Sequence, residues 1–276
     1  MKKNLYLSSS NVVLKREGNV LKFLDKKIPL SIVRNVYIIS NSKITSSAKN
    51  LLLKHNRTIF YLDRKYHLKG ILLSDRFDSN YKKRLSQYSN MGNLELAKHI
   101  VLKKIEAIER VTHYSLERYK HKINSVETLN ELLGIEGGAS NYMFAKFKEE
   151  LEKREIFEFK KRTYRPVEDR INGVLSFLYT LYYSYLYAEV IAEGLDPYVS
   201  FLHIKRGTHA ALVSDLMEEA RVLLTWLLLE FIEEIYEDKF EELYLTPEGR
   251  KIVLKEFDAF VQSYENSVLT TIKEML

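Results

Sequence analysis

The sequence predicts an α+β chain: a small N-terminal β-rich domain over residues 1–76, then a larger all-helical domain over residues 77–276. Three observations carry that expectation. From Asn4 to about Leu73, apolar and polar residues alternate in short runs, the period of strands. Around Ser74–Asn80 the stretch SDRFDSN is polar and turn-rich, and no strand pattern follows it. From Tyr81 onward apolar residues recur at helical spacing.

Within the first domain, Leu5–Leu7, Val12–Leu14, Val20–Leu24, Val36–Ile39, Ile59–Leu62 and Leu68–Leu73 read as strands. Glu17–Gly18–Asn19 supplies a tight turn between the second and third. One helix interrupts them, with Thr45 or Ser46 as N-cap and Ala48 to Lys54 in helical register.

The second domain opens with a helix over Tyr81–Tyr88. After Met91–Gly92–Asn93 comes one long amphipathic segment, Leu94–His121, with Leu94, Ile100, Val101, Ile105 and Ile108 at helical spacing. Ser125–Leu133 reads as a short helix capped by Ser125 and broken by Gly134. Glu136 follows that break, and Gly137–Gly138 start the next helix, Ala139–Lys153. Glycine inside a helix costs roughly 1 kcal/mol, so the pair implies close approach by a backbone, a helix or a phosphate. The plain alternative is a loop with C-cap glycines and a solvated Glu136. Glu155–Thr163 is charged and irregular. Tyr164–Arg165–Pro166 then precedes a helix with Asp169 at its N-terminus. That helix is apolar on most sides through Ile191, so it is a buried one whose tyrosines pack the core. Gly194 ends it. A second long helix runs from Ala210 to about Asp238, with Trp226 in the core, and a final one opens at Pro247–Arg250.

Composition narrows the chemistry. Hydrophobic residues make up 46% and charged residues 29% of the chain, the balance of a globular protein. Cysteine is absent, which excludes disulfides, thiolate catalysis and Cys-based zinc sites. MKKNLYLSSS lacks the apolar region of a signal peptide, and the apolar run Val222–Leu229 is too short to span a bilayer. The expected location is the cytoplasm. A net charge of +6 permits nucleic-acid binding. No Walker loop, dinucleotide glycine motif or nucleophile elbow occurs, which argues against nucleotide hydrolases, Rossmann enzymes and α/β-hydrolases.

One stretch stands out, GLDPYVSFLHIKRGTHAALVSDLMEEAR from Gly194 to Arg221. It places His203 in a short connection, then a basic glycine-containing loop (Lys205, Arg206, Gly207), then a helix bearing Asp215, Glu218 and Glu219. Asp215 and Glu218 are three apart and share a helix face. If His203 folds back onto that face, the resulting His/carboxylate pocket suits Mn²⁺ or Mg²⁺ better than a structural zinc. On spacing alone, a solvated acidic face with an unrelated histidine is the reading to prefer, because short motifs often match by chance.

The order of features adds to this. GIEG at Gly134–Gly137, then Arg165, Pro166, Asp169 and Asn172, then GLDP, FLH and LVSDLMEEAR resemble the CRISPR-associated integrase family, the universal adaptation proteins that insert new spacers. The resemblance covers nearly the whole chain. It implies that Glu136, His203 and Glu218 hold a divalent metal, Mn²⁺ or Mg²⁺, and are the catalytic residues, with Asp215 as accessory acid. It also implies a homodimer formed through the β-rich domain, a small ferredoxin-like partner protein, and double-stranded DNA with 3′-OH ends joined into repeat DNA. Activity is then expected to fall as pH drops through the histidine range. The family's R–x–x–Q pattern is matched by Arg84 and Gln87, and its Lys-Ile pair by Lys104–Ile105. The Asn-Gln that usually follows that pair is replaced here by Glu106–Ala107–Ile108. Ser200 stands where Gly is common, and Ala220–Arg221–Val222 lacks the usual aromatic and Pro. Arg84, Tyr164, Arg165, Lys205 and Arg206 are candidate DNA contacts, and His209 departs from the family's loop pattern. Two rival readings remain at this point: a stand-alone metal-dependent nuclease for branched or single-stranded DNA, and a non-catalytic DNA-binding scaffold.

Overall fold

A computed structural model describes residues 3–8, 12–39, 41–63, 68–74, 81–164, 166–203 and 209–274. The chain forms two compact units, Met1–Tyr81 with Ala188–Leu195, and Lys82–Tyr187 with Asp196–Leu276. The architecture is α+β, as the sequence predicts.

The first unit contains β1 (Lys3–Leu7), β2 (Val13–Glu17), β3 (Val20–Phe23), β4 (Lys26–Pro29), β5 (Val33–Ile39), β6 (Lys43–Ile44), helix α1 (Ser46–Lys54), β7 (Ile59–Leu62) and β8 (Leu68–Leu72). Two four-stranded sheets result, ordered β1-β5-β7-β8 and β4-β3-β2-β6. β5 pairs in parallel with both β1 and β7 and is buried along its whole length, which a strand covered on both faces requires. Tyr6, Tyr37 and Phe60 are cross-strand neighbours whose rings stack at 4.6 and 4.4 Å. Gly18 turns the β2–β3 hairpin at φ +62°, a conformation glycine reaches without strain. The Thr45 hydroxyl caps α1 by accepting from the Ala48 amide at 3.3 Å. β4 escapes the strand pattern because it is an edge strand. Its Lys26, Lys27 and Pro29 are the residues that discourage further pairing there.

The second unit holds the remaining helices: α2 (Tyr81–Ser89), α3 (Leu94–Thr112), α4 (Glu117–Asn124), α5 (Leu129–Glu152), α6 (Arg170–Ala192, whose last turns group with the first unit), α7 (Ala211–Ile235) and α8 (Pro247–Glu274). The expected single helix over Leu94–His121 is two. His113 adopts a left-handed conformation, φ +59°, and the Glu109 carboxylate accepts from the Leu116 amide at 2.6 Å, so α4 starts afresh. The short interval β9 (Phe240–Glu241) to β10 (Tyr244–Leu245) adds a hairpin to an otherwise helical unit.

The larger correction concerns GIEG. Gly134 breaks nothing, because α5 runs without interruption from its Thr128 cap to Glu152. Leu132, Ala139, Met143 and Phe147 form a buried stripe along α5, and burial of that size outweighs the helix cost of three glycines. The close backbone approach inferred from the glycine pair is not found among the described residues: at Gly138 an added Cβ would meet only the Tyr119 side chain, at an ordinary contact distance of 3.4 Å. Gly134 and Gly137 face open space. Glu136 therefore projects from a rigid helix. At the heart of the unit α7 packs on α3, α5 and α8, and α3 packs on α5. Trp226 is half-buried against Phe147 at 6.0 Å. Among the described residues no helix is long and apolar enough to cross a membrane.

Candidate metal centre

Two packed helices and one turn carry the candidate residues. α7 supplies Asp215 and Glu218, both on its buried face. α5 supplies Glu136, and the turn at Phe201–His203 supplies the imidazole.

Asp215 organises the turn. Its Oδ2 accepts the Phe201 and Leu202 amides at 2.8 and 3.0 Å, and its Oδ1 accepts the His203 amide at 2.9 Å. The same Oδ1 lies 2.8 Å from His203 Nδ1. A carboxylate surrounded by four donors is fully employed in holding them. With Nδ1–H donating to Asp215, the Nε2 lone pair is the one left for a ligand. That Nε2 lies 3.8 Å from Glu218 Oε1.

The turn is also fixed from its other end. Buried Gln87 on α2 donates from Nε2 to the Asp196 and Val199 carbonyls, both at 2.7 Å, and accepts the Asp196 amide at 2.9 Å. GLDP is thereby clasped just before the segment that carries His203.

Glu218 is fully buried. Its Oε1 accepts from Arg221 one turn along α7, and its Oε2 accepts from Lys104 Nζ at 2.6 Å. Lys104, on α3, also donates to Glu136 and to Ser140 Oγ, the latter at 2.7 Å. Burial disfavours charge on Glu218, yet Arg221, Lys104 and His203 hold its pKa down at about 2, so it is ionised. Burial also works against the Lys104 ammonium. The charges of Glu218 and Glu136 outweigh it and raise its pKa. For His203 burial is again the largest influence and an opposing one. The hydrogen bond to Asp215 and the charges of Glu218 and Asp215 prevail and push its pKa up.

Glu136 and Glu218 thus converge on one ammonium, with His203 beside Glu218. No group of three or more His, Cys, Asp or Glu among the described residues sits close enough to share an ion. The two carboxylates meet through Lys104 rather than directly. Two carboxylates and an imidazole Nε2 are the donor types that suit Mn²⁺ or Mg²⁺. Two of these donors, the carboxylates of Glu136 and Glu218, already bond a cation, and the third lies beside Glu218, a donor set that fits such an ion.

Other expected residues fall around this centre or beyond it. Arg84 is half-buried on α2, and Tyr164 is exposed. Arg165, Lys205 and Arg206 lie outside the described residues. His209 is exposed but not free. It stacks on Tyr183 at 5.3 Å and bonds Ser214, and its pKa is lowered by burial and then by Arg221 and His203. Asp169 and Asn172 prove structural. Asp169 caps α6 by accepting the Asn172 amide at 2.7 Å, and Asn172 binds Thr163 and Lys161 of the preceding segment. Arg162 joins the same network through Asn172 and Ser176 and lies over the Tyr179 ring at 5.3 Å.

Sequence reasoning overlooked Lys104 as a site residue. Its signal was present: Ile100, Lys104 and Ile108 are four apart, so the lysine sits on the apolar stripe of α3.

The sequence model of the family described as "CRISPR associated protein Cas1" matches residues 3–259. The chain is 27% identical to a CRISPR-associated endonuclease Cas1 of Thermodesulfovibrio yellowstonii, an alignment covering 94% of this chain and 91% of the relative. Its fold is similar to that of a CAS1 protein from Thermotoga maritima, with a TM-score of 0.80 at 23% identity over 99% of this chain and 94% of the other. It is also similar to a casposase bound to an integration product, with a TM-score of 0.73 at 20% identity over 94% and 82% of the two chains.

Proposed function

The chain belongs to the Cas1 family of CRISPR-associated proteins, and we propose on that basis that it is a CRISPR adaptation integrase that joins DNA 3′-OH ends to repeat DNA. The observation that carries the reading is that Glu136 and Glu218 both bond the buried Lys104 ammonium while His203 Nε2 lies 3.8 Å from the other oxygen of Glu218. Glu136, Glu218 and Nε2 of His203 are the groups that would hold Mn²⁺ or Mg²⁺. Such an ion, when bound, neutralises charge developing on the phosphoryl oxygens.

The chain's own residues do the rest. Asp215 orients the His203 ring and keeps Nε2 turned away from itself, while Gln87 fixes the turn that delivers it. Arg221, partly exposed beside Glu218, offers a guanidinium edge to a phosphate. In the joining reaction a 3′-oxygen forms a new P–O bond to the repeat phosphodiester as the old P–O bond breaks. The attacking hydroxyl loses its proton and the departing oxygen gains one, so no ATP is needed.

A homodimer working with a small ferredoxin-like partner on double-stranded DNA completes the proposal. The net charge of +6 supports salt-sensitive, largely sequence-independent DNA binding. The relative's description as an endonuclease favours a second reading, in which the same ligands serve hydrolysis alone.

Products separate the two. Purified protein, its small partner, Mn²⁺ or Mg²⁺, a short duplex with 3′-OH ends and a repeat-bearing plasmid are incubated with wild type or His203→Ala. Joined strands from wild type, reduced at least ~10³-fold in the variant, are expected. Cut strands without joined ones would establish the nuclease. Binding with neither product would leave a scaffold.

A further inference from the structure

Lys104 carries a full charge in a place with almost no solvent, its side chain being 3% exposed. A buried ammonium persists only when its donors are satisfied. Here it has three acceptors: Glu136, Ser140 Oγ at 2.7 Å and Glu218 Oε2 at 2.6 Å. The lysine comes from α3, the serine and Glu136 from α5, and Glu218 from α7, so one side chain ties three helices at the candidate metal centre.

The charges explain why a cation is needed there. Asp215 and Glu218 are buried and Glu136 is nearly so, whereas Arg221 and His203 reach Glu218 on its Oε1 side only. The other oxygen of Glu218 and the carboxylate of Glu136 face each other across the ammonium. Without it, two like charges would repel at low dielectric. Lysine is suited to the task, since it is a compact charge with three rotatable donors.

We propose that Lys104 is the built-in counter-cation of the metal centre: it holds Glu136 and Glu218 together in the metal-free protein and competes with the divalent ion for the same carboxylates. The inference rests on the reading of Glu136, His203 and Glu218 as metal ligands. In the metal-free state the lysine keeps the site assembled. On loading it must yield at least one carboxylate, which weakens metal affinity and keeps binding reversible.

Lys104→Met keeps the aliphatic stem and removes the charge. Mn²⁺ titration by calorimetry, together with thermal melts of both proteins with and without Mn²⁺, reads the consequences. The variant is expected to bind Mn²⁺ about 10-fold tighter or more. Without metal it should melt about 10 °C below wild type, and saturating Mn²⁺ should restore most of that loss. Equal or weaker Mn²⁺ binding by the variant overturns the role of Lys104 and leaves the metal reading standing. No Mn²⁺ binding by either protein overturns both. Should the variant not fold, wild type supplies the test through ¹⁵N-detected lysine ammonium signals. An ammonium held by three oxygens is protected from exchange, and saturating Mg²⁺ should expose it to solvent. A protected signal that survives Mg²⁺ unchanged overturns the proposal.

Discussion

The N-terminal unit and the helical unit both have apolar cores, but the helical unit also sets a cluster of charged side chains into its packing. In the first, Leu14, Leu21, Leu52 and Ile59 are fully buried and packed on one another in a continuous apolar cluster. In the second, α3, α5 and α7 bring Lys104, Glu136, Asp215 and Glu218 into the middle of the helix packing. An apolar centre gains stability from every methylene it removes from water. A charged centre gives up much of that gain to desolvation and recovers it only through pairing. The first unit is therefore built to be stable, and the second carries a local cost that only a function explains. Substitutions in the two centres should fail in different ways.

The largest effect on stability is expected in the apolar centre. Leu52→Ala removes a fully buried side chain from α1 and should lower unfolding free energy by about 2–5 kcal/mol, read from chemical denaturation of the first unit's transition. Mn²⁺ affinity at the charged centre, which belongs to the other unit, should stay within about twofold. A large loss of metal binding in Leu52→Ala would break the division of labour between the two centres.

Asp215→Asn sharpens the contrast from the other side. The shape is nearly conserved, but the charge that holds three backbone amides and His203 is lost. Mn²⁺ affinity should fall about 10–100-fold, as when a histidine's orienting carboxylate is removed elsewhere. Calorimetry reads this directly. An unchanged affinity would mean that His203 needs no positioning.

The two units also differed in how readily the sequence disclosed them. Short alternating or wholly apolar runs located β1, β2, β3, β5, β7 and β8. They missed β4, where the needs of an edge strand overrode propensity, and β6 at the opposite edge of the same sheet, which is only two residues long. In the helical unit the GIEG glycines concealed the continuity of α5, since the packing that sustains that helix comes from other helices and leaves little local trace. The spacing of Asp215 and Glu218 was legible. The residue that joins the site's two glutamates was not, because Lys104 reads as a surface charge until its neighbours Ile100 and Ile108 are seen to be buried. Resemblance supplied Glu136, which lies 82 residues from Glu218 in sequence with only tertiary packing to join them. Local pattern carries no information at that range.

The smallest expected effect is on pH, and it runs in opposite directions without and with metal. In the metal-free protein the pKa of His203 is raised above its ordinary 6.5 by Asp215 and Glu218, against the opposing influence of burial. A group whose folded pKa is raised contributes stability that is fully present below its unfolded pKa. That contribution disappears as pH rises through the folded value. Thermal melts of the metal-free protein from pH 6 upward should therefore show a slow decline, absent in His203→Gln. Metal loading reverses the sign, because only the neutral imidazole can offer Nε2 to a cation. Mn²⁺ affinity should rise over the same interval, so that the stability added by saturating Mn²⁺ grows as the metal-free protein weakens. A metal-free stability that climbs through this range would mean that the His203–Asp215 contact is not an ion pair in the folded protein. The charged centre would then lack one of the pairings that sets it apart from the apolar one.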